Sequence, residues 1–114
     1  MNRILRLTAC TIDLATGIGR REVDGESVHL TTRERELIGF LVERCGQTVS
    51  RDELHTSVWG YTPTVRTRAC DGVIGRLREK VESVPDRPDH LLTVHGSGYR
   101  FEPLVSPGWT PAPT

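Results

Sequence analysis

Apolar residues follow two different rhythms along this chain. From Ile4 to Leu30 they come in short runs, at residues 4–7, 11–14, 18–23 and 28–30, broken by Ala15-Thr16-Gly17 and Asp24-Gly25. Asp-Gly between two such runs signals a hairpin, so the pattern predicts three or four antiparallel strands. A sheet this small needs helices against it. The spacing then becomes helical. Thr31-x-x-Glu34 is a capping box, followed by Leu37, Ile38, Leu41 and Val42 and a stop at Gly46, which predicts a helix over 32–45. Thr48-Val49 reads as a short extended link. Ser50-x-x-Glu53 is a second capping box, opening a helix with Leu54, Val58 and Trp59 inward and Gly60 at its end.

The third helical stretch, residues 64–82, organises the rest. Cys70, Ile74, Leu77 and Val81 form one apolar stripe, and Arg68, Ala69, Gly72, Gly75, Arg76 and Glu79 fall opposite. A glycine inside a helix costs about 1 kcal/mol relative to alanine, and this helix turns Gly72 and Gly75 outward. Such a face is either simply solvated or must come very close to something anionic. Residues 84–89 (VPDRPD) end the helix. Two strand-like runs follow, 90–94 and 99–102, around His95-Gly96-Ser97-Gly98, a tight hairpin. Residues 103–114 hold four prolines without periodicity and read as a tail or linker, leaving 1–102 as one domain.

Composition narrows the classes. The 114 residues carry 15 basic and 15 acidic side chains, a balance that argues against strong nonspecific nucleic-acid binding. Residues 66–100 hold seven Arg/Lys against five Asp/Glu, and residues 1–62 eight against nine, a weak asymmetry. No apolar run approaches a membrane span, and no leader pattern opens the chain. Cys10, Cys45 and Cys70 are widely spaced and form no metal-ligand motif; they read as small hydrophobes in a reducing cytoplasm. His90 and His95 are five apart on extended chain and cannot share a metal. Ser50 and Thr31 are explained as caps. Gly96-Ser97-Gly98 precedes a strand, not a helix that would bind phosphate. Neither an enzyme nor a cofactor is expected. A helix with a small, partly basic face beside a glycine-turned hairpin suits duplex DNA. Arg76 would reach base edges, with Arg66, Arg68, Arg78 and Lys80 nearer the phosphates.

Four ordered motifs then bring in a family. These are Leu30-Thr31-x-x-Glu34-x-x-Leu37-Ile38; Val49-Ser50-Arg51-Asp52-x-Leu54-x-x-x-Val58-Trp59-Gly60; Arg68-x-x-Asp71-x-x-Ile74-x-Arg76-Leu77-Arg78-x-Lys80; and Leu92-Thr93-Val94-x-Gly96-x-Gly98-Tyr99-Arg100-Phe101. Together they resemble the winged-helix DNA-binding domain of OmpR/PhoB-type response regulators, over about residues 4–102. The resemblance implies an α+β winged helix-turn-helix: an N-terminal antiparallel sheet, three helices and a C-terminal hairpin wing. It implies double-stranded DNA as partner, with the third helix in the major groove and the wing in the minor groove. Head-to-tail pairs on direct repeats are implied too, as is an RNA polymerase contact through the loop Gly60, Tyr61, Thr62, Pro63 and Thr64. Arg76 matches a base-reading arginine, Arg68 and Arg78 backbone contacts, Thr93 a wing phosphate contact and Tyr99 a wing aromatic. The implied DNA-facing set also takes in Gly72, Val73, His95 and Arg100.

Several positions depart from the family pattern. Val73 replaces a polar residue, Gly75 and Glu79 replace Arg or Lys, and His95 replaces a wing arginine with a group that is charged only in acid. Each missing cation lowers the salt slope by up to about 1. The alternative these departures raise is a protein-interaction module, in which Gly72, Val73 and Gly75 receive a partner's side chains. Within these residues no receiver domain precedes the domain, so phosphorylation is not expected to be the switch in this chain. The proline-rich end is expected to lead to something further.

Overall fold

The computed structural model describes residues 4–60 and 69–102. Arg66, Arg68, Tyr61, Thr62, Pro63, Thr64 and Trp109 lie outside the described residues. The first four strands, β1 (Ile4–Arg6), β2 (Cys10–Asp13), β3 (Ile18–Arg21) and β4 (Ser27–His29), form an antiparallel meander in chain order. Strand alternation sets its inner face: Cys10 and Ile12 of β2 are fully buried, and Thr11 and Asp13 between them are not.

Helix α1 (Thr32–Glu43) opens with the predicted capping box. The Glu34 N–H donates to Thr31 Oγ1 at 3.2 Å and the Thr31 N–H to Glu34 Oε1 at 2.9 Å. Thr48 and Val49 are a strand, β5, paired antiparallel with Arg100 and Tyr99. The second helix differs from its expected form. It begins as α2 (Arg51–Leu54) and continues as a π-helical turn, His55–Trp59, that Gly60 ends at φ +74°. Over one turn, the spacing of Leu54 and Val58 does not distinguish α from π. Arg33 holds the end of this turn, donating to the Val58 carbonyl with its guanidinium 5.2 Å from the Trp59 ring centroid. Ser50 caps α2 through the Glu53 N–H, while the Glu53 carboxylate lies 3.5 Å from Arg44 Nε.

Helix α3 spans Ala69–Val81, and its predicted stripe of Cys70, Ile74, Leu77 and Val81 is at most 1% exposed. The wing is β6 (Leu91–Val94) and β7 (Gly98–Phe101), and the second sheet runs β5-β7-β6. Gly98 is where β5 meets β7. Its φ is +144°, and a Cβ there would lie 2.0 Å from the Val49 carbonyl oxygen, so no side chain fits. A single core joins both sheets and the helices around Ile12, Leu37, Leu41, Leu54, Leu77 and Phe101. Cys10 and Cys70 sit in it as expected, but Cys45 is exposed at the end of α1.

Two buried polar groups tie the wing to the rest. Glu82, just past α3, accepts from the backbone N–H groups of Asp89, His90 and Leu91 at 2.8–3.0 Å. His90 accepts the Thr8 N–H at Nε2 and meets the Glu102 carbonyl at Nδ1, which assigns the proton to Nδ1.

Candidate nucleic-acid interface

Because α3 lays its stripe on the core, Gly72, Gly75, Arg76 and Glu79 are left exposed on the opposite side. Among the described residues, nothing outside the helix backbone lies within 4 Å of where a Gly75 Cβ would stand, and only Arg76 Nη1, at 3.6 Å, approaches that of Gly72. The exposed face is therefore low and open, with Arg76 as its cation and its side chain 60% exposed.

The flanking cations do not stand free. Arg78 donates from Nε and Nη2 to the Leu91 carbonyl at 2.9 and 2.7 Å and from Nη2 to Thr93 Oγ1 at 2.8 Å. This fastens α3 to the first wing strand. Lys80 Nζ donates to Glu34 Oε1 at 2.6 Å and to the His29 carbonyl at 2.9 Å. Glu34 is fully buried. Burial pushes its carboxyl up, but Lys80 and the Thr31 N–H more than offset that, and the net direction is down.

Two expected contact residues are corrected. Val73 is 3% exposed, on the flank of α3 that packs into the core, because at helical spacing it stands one position from Ile74 of the buried stripe. It cannot touch a ligand there, and the alternative protein-binding surface loses its apolar member. Tyr99 is 4% exposed and its hydroxyl donates to Asp71. Its ring therefore belongs to the wing's buried side. Asp71 also accepts from Arg51 Nε at 2.8 Å, so one carboxylate joins α2, α3 and β7. Burial raises the Asp71 carboxyl, but the Tyr99 and Arg51 hydrogen bonds bring it down overall. Burial and then Asp71 push the Tyr99 phenol up to about 12.

On the wing, Thr93 and His95 are exposed, and Arg100 is half-buried with Nε 2.8 Å from Glu102 Oε1. Arg78, Thr93, His95 and Arg100 line one open depression beside the wing. Glu34, Arg51 and Asp71 stand in the family motifs, and Glu34 also in a capping box, but neither signal shows what they touch, because their partners come from other elements.

The family described as "Transcriptional regulatory protein, C terminal" matches residues 25–101. The chain belongs to this family. It is an OmpR/PhoB-type winged-helix effector domain. It is 42% identical over 106 residues to the probable transcriptional regulator ycf27 of Guillardia theta, covering 90% of this chain and 40% of that protein. The transcriptional regulatory protein KdpE of Mycobacterium tuberculosis is 38% identical over 100 residues, covering 87% and 43%. The chain thus spans about two fifths of the length of these relatives.

Among solved structures, the Klebsiella pneumoniae RstA DNA-binding domain in complex with RstA box matches with a TM-score of 0.72 at 29% identity, covering 90% of this chain and 99% of that one. The response regulator DrrB, a Thermotoga maritima OmpR/PhoB homolog, matches with a TM-score of 0.73 at 31% identity, covering 88% and 44%. Among the described residues, no helix of the effector domain is long and apolar enough to cross a membrane.

Proposed function

We propose that this effector domain binds double-stranded DNA with sequence preference, in the cytoplasm, as part of a transcriptional regulator. Helix α3 enters the major groove and the wing reaches the adjacent minor groove. The observation that carries this reading is the exposed face of α3, where Gly72 and Gly75 leave no bulk around Arg76. A helix fits the major groove, and arginine pairs bidentately with guanine. Thr93, His95 and Arg100 supply the wing contacts, Arg66 and Arg68, which precede α3 in the sequence, meet phosphates, and Arg78 and Lys80 serve as structural cations. Pairing head to tail on direct repeats and contact of the loop from Gly60 to Thr64 with RNA polymerase complete the proposal. No chemistry or cofactor is required.

The test is selection from a random duplex pool, followed by a salt titration of the winner. An enriched repeat is expected. With Arg78 and Lys80 engaged internally, the salt slope should be modest, since each phosphate contact contributes up to about 1. Arg76→Ala should cost about 1–3 kcal/mol of binding and relax the preference at one position. No enrichment, or an Arg76→Ala variant that selects the same sequence equally well, would overturn the reading.

A further inference from the structure

We propose that Glu34 is a positioning residue for base recognition, holding the Nε edge of Arg76 so that the two terminal nitrogens face a guanine. This rests on the DNA-binding reading above. The helix cap does not account for the whole carboxylate. Its Oε1 takes the Thr31 N–H and the Lys80 ammonium, at 2.9 and 2.6 Å. Among the described residues its Oε2 is buried without a hydrogen-bond partner, and it lies 3.6 Å from Arg76 Nε. A buried carboxylate oxygen without a partner is unfavourable, and this one is turned toward the cation of the exposed face.

Gly72 bounds the same guanidinium from below. A Cβ at that position would stand 3.6 Å from Arg76 Nη1, so the side chain runs back along the helix toward its N-terminus, the direction helical side chains take. Bidentate recognition of guanine O6 and N7 needs two N–H groups on one edge of the guanidinium. With Nε turned to Glu34, the edge left is Nη1 with Nη2. Lys80 neutralises much of the Glu34 charge, so the carboxylate orients Arg76 without strongly repelling nearby phosphates. The 3.6 Å ion pair already orients Arg76 in the free protein, and its closure to hydrogen-bond distance, below about 3.2 Å, would give Oε2 its partner once a base holds the other edge.

Two arms test this, and they fail separately. In the free protein, 15N relaxation of the Arg76 Nε–H group should give an order parameter above about 0.6 that drops in Glu34→Gln. Glutamine keeps an acceptor for the Thr31 N–H but lacks the charge. A mobile Arg76 in the unmodified protein overturns the tether whatever the DNA result. In the second arm, Glu34→Gln should lower discrimination for guanine at the selected position about 10-fold while leaving affinity for a scrambled duplex unchanged or higher. An equal loss on both duplexes would make Glu34 merely structural and overturn the proposal, as would unchanged discrimination. Arg76→Lys, at an exposed position, covers a Glu34 variant that does not fold. It keeps the charge but lacks the edge, and should bind the scrambled duplex normally while losing the guanine preference. Full discrimination by this variant overturns the proposal. A rigid Arg76 with no selected sequence would instead sink the DNA-binding reading and leave the tether standing.

Discussion

At the scale of single residues, Gly96 and Gly98 show how differently two glycines of one hairpin are constrained. Gly96 has φ +77° and, among the described residues, open space where a Cβ would go, whereas at Gly98, with φ +144°, a Cβ would collide with the Val49 carbonyl oxygen. Alanine at 96 meets only the left-handed penalty, about 1–2 kcal/mol. Alanine at 98 meets that kind of strain and must also push β5 off β7. We expect Gly96→Ala to fold with a urea midpoint slightly lowered, and Gly98→Ala to lose several times as much stability or not to fold. Equal effects would mean that the β5–β7 approach is loose. The same contrast shows what a sequence reveals of a site. Arg76 was legible because helical spacing alone puts it on the outer face, between small residues. Glu34 was legible only as a cap, because its two cationic neighbours come from α3. Val73 was misplaced because a resemblance assigns positions, whereas burial depends on how α3 rolls against α1.

The elements themselves were largely legible. Strand runs, caps and stripes are local signals, and they placed the meander, α1, α3 and the wing close to where they lie. What they missed was tertiary in origin: the pairing of Thr48-Val49 with β7, and the π-helical turn held by Arg33. The glycines of α3 test whether this helix is shaped for stability or for approach. Among the described residues, Gly75 has nothing outside the helix backbone within 4 Å of its missing Cβ, so Gly75→Ala should stabilise the free domain by about 1 kcal/mol through helix propensity. If α3 enters a groove closely, the same substitution should weaken binding to the selected duplex. Thermal melting and DNA titration of one variant therefore have opposite expected signs. A variant that is both more stable and an equal binder would show that Gly75 is not at the DNA surface.

For the whole molecule, the deciding connections are those that join α2, α3 and the wing into one body, and Asp71 is their meeting point. It accepts from Arg51 of α2 and Tyr99 of β7 while standing in the first turn of α3. The Tyr99 phenol, ordinarily near 10.0, is pushed up to about 12, so the folded state holds this proton more tightly than the unfolded chain. Its stabilisation is fully present below about pH 10 and is lost as pH rises toward 12. The carboxyls of Asp71 and Glu34 are shifted the other way, below ordinary values of 3.8 and 4.5. Their stabilisation is present above that range and is lost as pH falls through the lowered values. Stability should therefore decline at both ends, with Asp71 contributing to each. Cys10 and Cys70, raised by burial from 9.0 to about 11, add to the alkaline loss, so a melting curve alone does not isolate Tyr99. Tyrosinate absorbance in a Tyr61→Phe background does. There the signal should appear only toward pH 12 and together with loss of the folded circular-dichroism spectrum, because ionising Tyr99 breaks the link between wing and helix. Tyrosinate forming near pH 10 in a protein that stays folded would mean that the hydroxyl is not held by Asp71, and that wing and α3 are joined by Arg78 without it.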